Sequence, residues 1–312
     1  MIKSIGLLLV CIVGSFQSLS QPSNSTLKIP TLNDHLYVNF EGMKSPYTNT
    51  SFFLELGLGE SGVFSTDGVP VGDSTIFNLN GELLFVNLRF GYTQQIKKWI
   101  CFFVNANYSA RTGNNAESLF ISGVNTLISI EPGILFKIKH TKKLSLSGYF
   151  KLTNTESSIV DIQRYFSDLI KGNPYADITR DVPALNGGGG LVASYAIGPS
   201  LAFNFDGQLV YGETLKRESP SMQYFVSSNV SLNFKKWINL PITFIVGGYA
   251  NTLTNVFSTE GSLTSSFMTK LAYTGSDSFI LSIETQSGRT PIEETNNRVQ
   301  LKAISFAAKF YF

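Results

Sequence analysis

The residue types that most often carry catalysis are scarce in this chain of 312 residues. It has only two histidines, His35 near the start of the mature protein and His140 between two strand-like runs. A serine nucleophile needs a base that a third group positions, and that base is normally a histidine. Because neither histidine lies where such a site is expected, the sequence predicts no catalytic residue.

Two further patterns can be read as chemistry. Glu293 and Glu294 are neighbours in a polar stretch, with nothing nearby to desolvate one of them into a general acid. The glycine run from Gly187 to Gly190 lacks the following lysine and helix of a phosphate-binding loop. We therefore expect a protein that is not an enzyme and that has no metal site and no cofactor.

The remaining candidates are charged side chains placed between apolar ones. Glu55 lies between Leu54 and Leu56, and a run from Leu201 to Tyr211 alternates in the same way around Asp206. Strict alternation is typical of a strand with one apolar face and one polar face. Since the pattern recurs along most of the chain, we expect strands to position these charges.

The first twenty residues predict export. Met1–Ser20 has Lys3, a short apolar core from Gly6 to Gly14 and small residues before Gln21, as in a signal peptide. Cys11 is expected to leave with it, so Cys101 is the one cysteine of the mature chain and no internal disulfide is possible. A net charge of +2 gives no basic field, which argues against nucleic acid as a partner.

No apolar run of the mature chain reaches the roughly 18 residues of a membrane-spanning helix, so a membrane must be crossed by strands. Short joins, such as 95–98 and 235–237, alternate with longer polar loops, the longest at 154–185. This asymmetry is typical of outer-membrane barrels. We predict an all-β, transmembrane, antiparallel up-and-down barrel of about twelve strands over residues 49–312, with short turns and both termini in the periplasm.

The chain ends AISFAAKFYF, with apolar residues on alternate positions and a terminal aromatic, Phe312. In this it resembles Gram-negative outer-membrane β-barrel proteins, whose last strand alternates in this way and ends in Phe. The resemblance implies a location in the cell outer membrane, contact with its lipid, and assembly by the barrel-assembly machinery through the strand ending at Phe312. It implies no particular solute.

Two strands depart from the pattern. In the last strand, Val299 and Leu301 are apolar residues at positions where the alternation expects polar ones. In the second strand the same is true of Phe77, Leu79 and Leu83. We expect bulges, or strands that begin later, to restore the alternation.

If the apolar parity faces lipid, the other parity lines the lumen. Its charged members are Glu55, Arg89, Arg111, Glu131, Lys137, Lys151, Asp206, Lys270, Glu284 and Lys309. One hypothesis is a polar, weakly anion-favouring pathway through which small solutes, of unknown identity, diffuse passively. The other is that these groups pair across the barrel and fill it, since twelve strands lie between filled and open barrels.

The longest loop carries a helical pattern with one apolar face. Its candidate residues for a gate helix are Ile159, Ile162, Tyr165, Phe166, Leu169 and Ile170. The spacing of Ser158 and Asp161 predicts a cap at its start, and Gly172 predicts its end. The helix is expected either to constrict the mouth of the barrel or to pack on neighbouring loops.

Residues 21–48 precede the first barrel strand and contain an apolar patch at Leu36–Val38. We expect a periplasmic leader that is either flexible or a partial plug. Two alternatives to a passive channel stay open: a gated transporter of hydrophobic compounds, and a non-conducting barrel that binds partners through its extracellular loops.

Overall fold

The computed structural model describes residues 28–62, 64–66, 69–71, 74–76, 79–113, 123–160, 162–173, 175–214, 220–253, 263–291 and 298–312. The predicted signal peptide, Met1–Ser20, lies outside these residues. Twelve strands form one closed antiparallel barrel in which neighbours in the chain are neighbours in the sheet. They are β3 (Ser51–Ser61), β8 (Leu83–Lys97), β9 (Ile100–Gly113), β10 (Gly123–His140), β11 (Leu144–Val160), β12 (Thr179–Ala196), β13 (Leu201–Gly212), β14 (Ser221–Asn233), β15 (Ile242–Asn251), β16 (Thr264–Tyr273), β17 (Phe279–Pro291) and β18 (Arg298–Tyr311). Pairing of β18 with β3 closes the barrel, which confirms the predicted fold class.

The barrel is apolar outside and polar inside. On β3, Leu54, Leu56 and Leu58 are about half exposed, whereas Glu55 between them is 5% exposed. The same division holds on β13, where Phe205 points outward and Asp206 is buried. Because closure pairs each of these twelve barrel strands on both edges, none of them presents an open backbone edge to the hydrocarbon.

The two ends of the barrel differ. At one end, here called the turn end, joins at 98–99, 141–143, 197–200, 234–241 and 274–278 are short, and one holds the helical turn α2 (Lys235–Ile238). The first barrel strand begins there and the last one ends there. At the opposite, loop end, four short strands between β3 and β8 form two ladders: β4 (Phe64–Thr66) with β7 (Leu79–Gly81), and β5 (Val69–Val71) with β6 (Ser74–Ile76).

The helix of the longest loop, α1 (Ile162–Ile170), begins later than its sequence pattern predicts. Ile159 belongs to β11, where it pairs with Val124 and Arg180, so its assignment to the helix was wrong. Ladder hydrogen bonds on both edges of β11 continue to Val160 and take precedence over local helical spacing. The helix ends at Ile170, and Gly172, predicted to end it, follows two residues later with a φ of 83° that is accessible to glycine.

Leu83, Val299 and Leu301 keep their parity without a nearby bulge, whereas Leu79 lies in β7, before the second barrel strand begins. β18 pairs with β17 without a register shift, so Val299 and Leu301 point into the lumen. There they pack with Leu83 and Phe85 of β8 in a buried apolar cluster near the loop end. The loop-side lumen is therefore partly apolar. Phe77 lies outside the described residues.

Aromatic rings form a band on the outer face near the turn end. Phe52 packs against Phe90 and Phe310, and Phe310 continues the band to Phe279 and Tyr273. Such girdles sit at the interface between hydrocarbon and water. Within the described residues, no helix has the length and apolar character to cross a membrane.

Residues 28–50, here called the lumenal segment, lie inside the barrel. The segment starts at the turn end, where the Ile29 amide donates to the Asp277 carbonyl. It forms a hairpin of β1 (Thr31–Leu32) and β2 (His35–Leu36), turned by two residues of positive φ, Asn33 and Asp34. It reaches into the lumen at residues 39–44 and returns to the turn end, where Thr48 donates to the Lys98 carbonyl.

Candidate functional site

The charged residues predicted to line the lumen take two positions. Lys137 lies at the turn end, where its ammonium donates to the Lys98 carbonyl at 3.1 Å. The others point inward at various depths: Glu55, Arg89, Arg111, Glu131, Lys151, Asp206, Lys270, Glu284 and Lys309. Glu55 and Arg89 pair directly across β3 and β8, with 3.1 Å between Oε2 and Nη1.

Lys270 holds one side of the lumenal segment. Its Nζ lies 2.7 Å from Glu41 Oε1 and 2.8 Å from the carbonyl oxygen of Asn39. Glu284 on the adjacent strand lies 3.7 Å from the same ammonium. The Lys270 side chain is fully buried, so its charge is balanced by carboxylates rather than by water.

Lys44 holds the other side. Its ammonium pairs with Glu131, which also pairs with Lys151 from the wall. The Lys44 backbone amide donates to Asp206 at 2.8 Å. One residue of the segment thus engages two carboxylates of the barrel wall.

A line of amides connects the segment to the wall between these two ion-pair clusters. Asn229 donates to the Asn39 side chain, Asn204 donates to Asn229 at 2.8 Å, and Ser194 donates to Asn204 at 2.7 Å. All four side chains are buried. A fully connected buried network of this kind favours one position of the segment.

Apolar contacts also hold the lumenal segment against the barrel wall. Its Ile29, Val38, Phe40 and Met43 pack in one buried cluster with inward-facing wall residues, which include Ile245. Burial of one such side chain contributes roughly 1.5–3 kcal/mol. The lumenal segment is therefore packed as a core and not merely enclosed.

His35 forms a serine–histidine pair that the sequence did not predict. Its Nε2 lies 3.0 Å from Ser231 Oγ, and its Nδ1 lies 3.1 Å from the Pro199 carbonyl. Since a carbonyl only accepts, Nδ1 carries the proton and Nε2 accepts from the serine. Ser231 is 0% exposed, so this pair has the contacts of an anchor and no access for a substrate.

Burial shifts the pKa values of ionisable groups in the lumenal segment. It lowers the pKa of His35 from 6.5 to about 4. Burial alone would raise the pKa of Glu41, but Lys270 and then Lys309 outweigh it and hold that pKa below its usual value. At neutral pH, His35 is therefore neutral and Glu41 is charged. Among the described residues no group of three His, Cys, Asp or Glu side chains could hold a metal ion.

Two adjoining cavities lie beside the segment, and the larger one extends from the turn end toward the loop end. The larger, of about 430 Å³, is bounded by residues 40–45 and by wall residues that include Phe225, Tyr249 and Gln208. The smaller, of about 180 Å³, shares Leu127, Glu131 and Lys151 with it. Residues of α1 do not line either cavity in the described part of the chain.

Sequence reasoning identified the wall charges but missed their partners, Glu41 and Lys44. These residues have no strand or helix periodicity, and they precede Lys270 and Glu131 by 229 and 87 positions. One usable signal was present: a predicted lumen with several buried charges needs counter-charges, and among the charged residues of the leader Glu41 and Lys44 lie three positions apart.

A closed, even-numbered antiparallel barrel with an apolar outer belt and a polar lumen defines a transmembrane β-barrel of the outer-membrane class. No protein-family model and no curated protein matches the sequence. The chain is similar to several solved barrels. The translocator domain of autotransporter NalP from Neisseria meningitidis is 9% identical with a TM-score of 0.46, covering 87% of this chain and 91% of that one. The P. putida toluene transporter TodX is 9% identical, TM-score 0.43, with 85% and 90% covered, and the NanC porin is 10% identical, TM-score 0.44, with 83% and 100% covered.

Proposed function

We propose that this protein is an outer-membrane channel for small solutes whose lumenal segment acts as an internal plug. The observation that carries the proposal is the seating of Glu41 and Lys44 on opposite charges of the lumen wall. A polar lumen offers a path for solutes, and a segment held by reversible contacts offers a way to close it. Solutes pass down their gradient when the segment moves.

In this proposal the turn end and both termini face the periplasm, so the lumenal segment closes the channel from the periplasmic side. Short turns on that side and longer loops outside are the arrangement of bacterial barrels. The protein carries no catalytic role. The gating role that the sequence suggested for α1 is assigned here to the segment, because its residues 40–45 bound the larger cavity.

The test is single-channel conductance in a planar bilayer, comparing the mature protein with the double variant Glu41→Gln/Lys44→Met. The variant removes both charges of the plug. It leaves Lys270 near Glu284 and Glu131 paired with Lys151, so the wall remains balanced. We expect rare openings of the mature protein and a clear rise in open probability of the variant, with a slight anion preference in both.

The matched control is Glu60→Gln/Lys302→Met. This pair also joins one acid and one base, but it lies exposed on the outer face across β3 and β18. Its conductance is expected to equal that of the mature protein. A double variant that is verifiably folded yet silent contradicts the proposal.

A second candidate, a gated transporter of hydrophobic compounds, is favoured by one observation. The apolar cluster of Leu83, Phe85, Val299 and Leu301 faces the lumen near the loop end. Uptake of a small aromatic hydrocarbon into vesicles that contain the double variant, without uptake of polar solutes of equal size, would favour this candidate.

A further inference from the structure

Four amide side chains at the two cavities each carry a buried polar atom without a hydrogen-bond partner. They are Gln208 Oε1 and Asn251 Oδ1 at the larger cavity, and Asn186 Oδ1 and Gln223 Nε2 at the smaller. Buried amides are normally paired, because an unpaired one keeps its full desolvation cost. Four such atoms around two adjoining cavities offer hydrogen-bonding positions to a molecule bound there.

The amides form one patch of the lumen wall. Across the ladder of β13 and β14, Gln208 lies opposite Phe225 and Gln223 lies opposite Val210. Asn251 of β15 lies opposite Phe225 from the other side. Gln208 and Gln223 are 8% and 3% exposed. A single small molecule can therefore reach amides of several strands.

An apolar surface lies beside the patch. The rings of Phe225 and Tyr249 stack with their centroids 5.7 Å apart and line the larger cavity. Leu127 and Leu253 line both cavities. The ligand must therefore present one face of C–H groups as well as its hydrogen-bonding groups.

The charges nearby are largely neutralised by each other. Glu41 pairs with Lys270, Glu131 pairs with Lys44 and Lys151, and Arg89 pairs with Glu55. Lys309, which also lines the larger cavity, lies over the Tyr311 ring at 5.7 Å, near the turn end and away from the amides. The amide patch thus offers hydrogen bonds and no free charge among the described residues.

We propose that these cavities form a binding site for a short, uncharged saccharide. Three of the unpaired atoms are acceptors and one is a donor, and a hydroxyl group serves both kinds. A sugar ring combines hydroxyl groups at its edge with a C–H face that packs on aromatic rings. A volume of about 430 Å³ falls in the range of roughly 300–1,000 Å³ of small-molecule sites.

The saccharide can bind at this site whether or not the barrel transports it. We also infer that the saccharide is the transported solute, and this part rests on the proposed function. The test is therefore a binding measurement: saturation-transfer NMR and calorimetry on the folded mature protein in amine-oxide micelles, a detergent without a sugar headgroup. Sucrose and maltose are the saccharide probes, glutamate is the anionic probe, and toluene is the apolar probe.

We expect a disaccharide to bind more tightly than glutamate or toluene. The variant Gln208→Leu/Gln223→Leu should weaken saccharide binding about tenfold or more, since it removes two hydrogen-bonding groups. Its unliganded melting temperature should not fall, because replacing an unsatisfied buried amide by an apolar group relieves its desolvation cost. If these glutamines have only a structural role, the melting temperature of the variant should fall.

The matched control is Gln300→Leu on the outer face of β18, which should bind like the mature protein. Asn251→Leu provides a second, independent variant should the double one not fold. Saccharide affinity unchanged in the folded variants, or tighter binding of glutamate or toluene than of either disaccharide, overturns the inference. If the barrel binds the saccharide but never conducts, the proposed channel is wrong and the binding site stands. If the barrel conducts but binds no saccharide, the binding site is wrong and the channel stands.

Discussion

At the scale of single residues, the lumenal segment is held by buried charges whose partners lie on distant strands. Lys270 illustrates the consequence of burying a charge, because its ammonium is enclosed by Glu41, Glu284 and the Asn39 carbonyl. Such a pair adds little net stability compared with apolar groups, but removing one partner leaves the other charge uncompensated. Single substitutions here are therefore far more disruptive than at the surface.

We predict that Lys270→Met weakens docking of the lumenal segment by about 3–5 kcal/mol, because Glu41 loses the cation with which it now pairs. Hydrogen exchange of the amides of residues 37–44 is the measurement, and protection should fall. Lys302→Met, on the exposed outer face of the same barrel, is the control and should leave exchange unchanged. Equal protection in both variants contradicts the electrostatic account.

Because His35 is buried in the docked state, we predict that docking of the lumenal segment depends on pH. Its pKa falls from 6.5 to about 4 on burial, so the undocked segment binds the proton more readily than the docked one. Docking is unaffected above pH 6.5 and weakens as the pH falls toward 4, by about 3 kcal/mol in total. Open probability in bilayers should rise over this range, and His35→Gln should flatten the response above pH 5. His140→Gln replaces the other histidine, an exposed wall residue whose ring contacts Tyr47 of the segment, and should retain the response.

At the scale of elements, the strands were predictable, whereas for the leader the sequence left a flexible segment and a partial plug both open and gave none of its contacts. Alternation around Glu55 or Asp206 marks a strand locally, since the period of two follows from the pleat. The start of α1 was missed because Ile159 has helical spacing but lies in a ladder paired on both edges. Contacts such as Glu41 with Lys270 leave no local pattern, and only the folded chain brings them together.

The last strand supports a prediction about assembly. Phe312 is largely exposed, and its amide donates to the Thr50 carbonyl at the seam between β18 and β3. We propose that this residue is read by the assembly machinery, so its deletion should lower the amount of folded barrel in cells several-fold. The heat-dependent shift on a gel measures that amount. Phe306→Ala, an outward residue of the same strand, should assemble normally.

At the scale of the whole molecule, the barrel wall encloses the ion pairs of the lumenal segment and buries most of their surface. Buried pairs are screened by salt much less than exposed ones. We predict that the open probability of the mature protein changes by less than about twofold between 0.1 and 1 M salt, although the current rises with the number of ions. A steep increase in opening with salt would indicate that the segment is held by exposed charges. Open probability in the same bilayers at several salt concentrations is the measurement.

The path of the lumenal segment has a kinetic consequence. It enters and leaves at the same end and continues directly into β3, so a displaced segment stays on a short tether. A tethered group acts at an effective concentration on the order of millimolar. Any dissolved molecule that competes for Lys270 or Glu131 must reach comparable concentrations to keep the lumen free, and reclosure after its removal is independent of protein concentration.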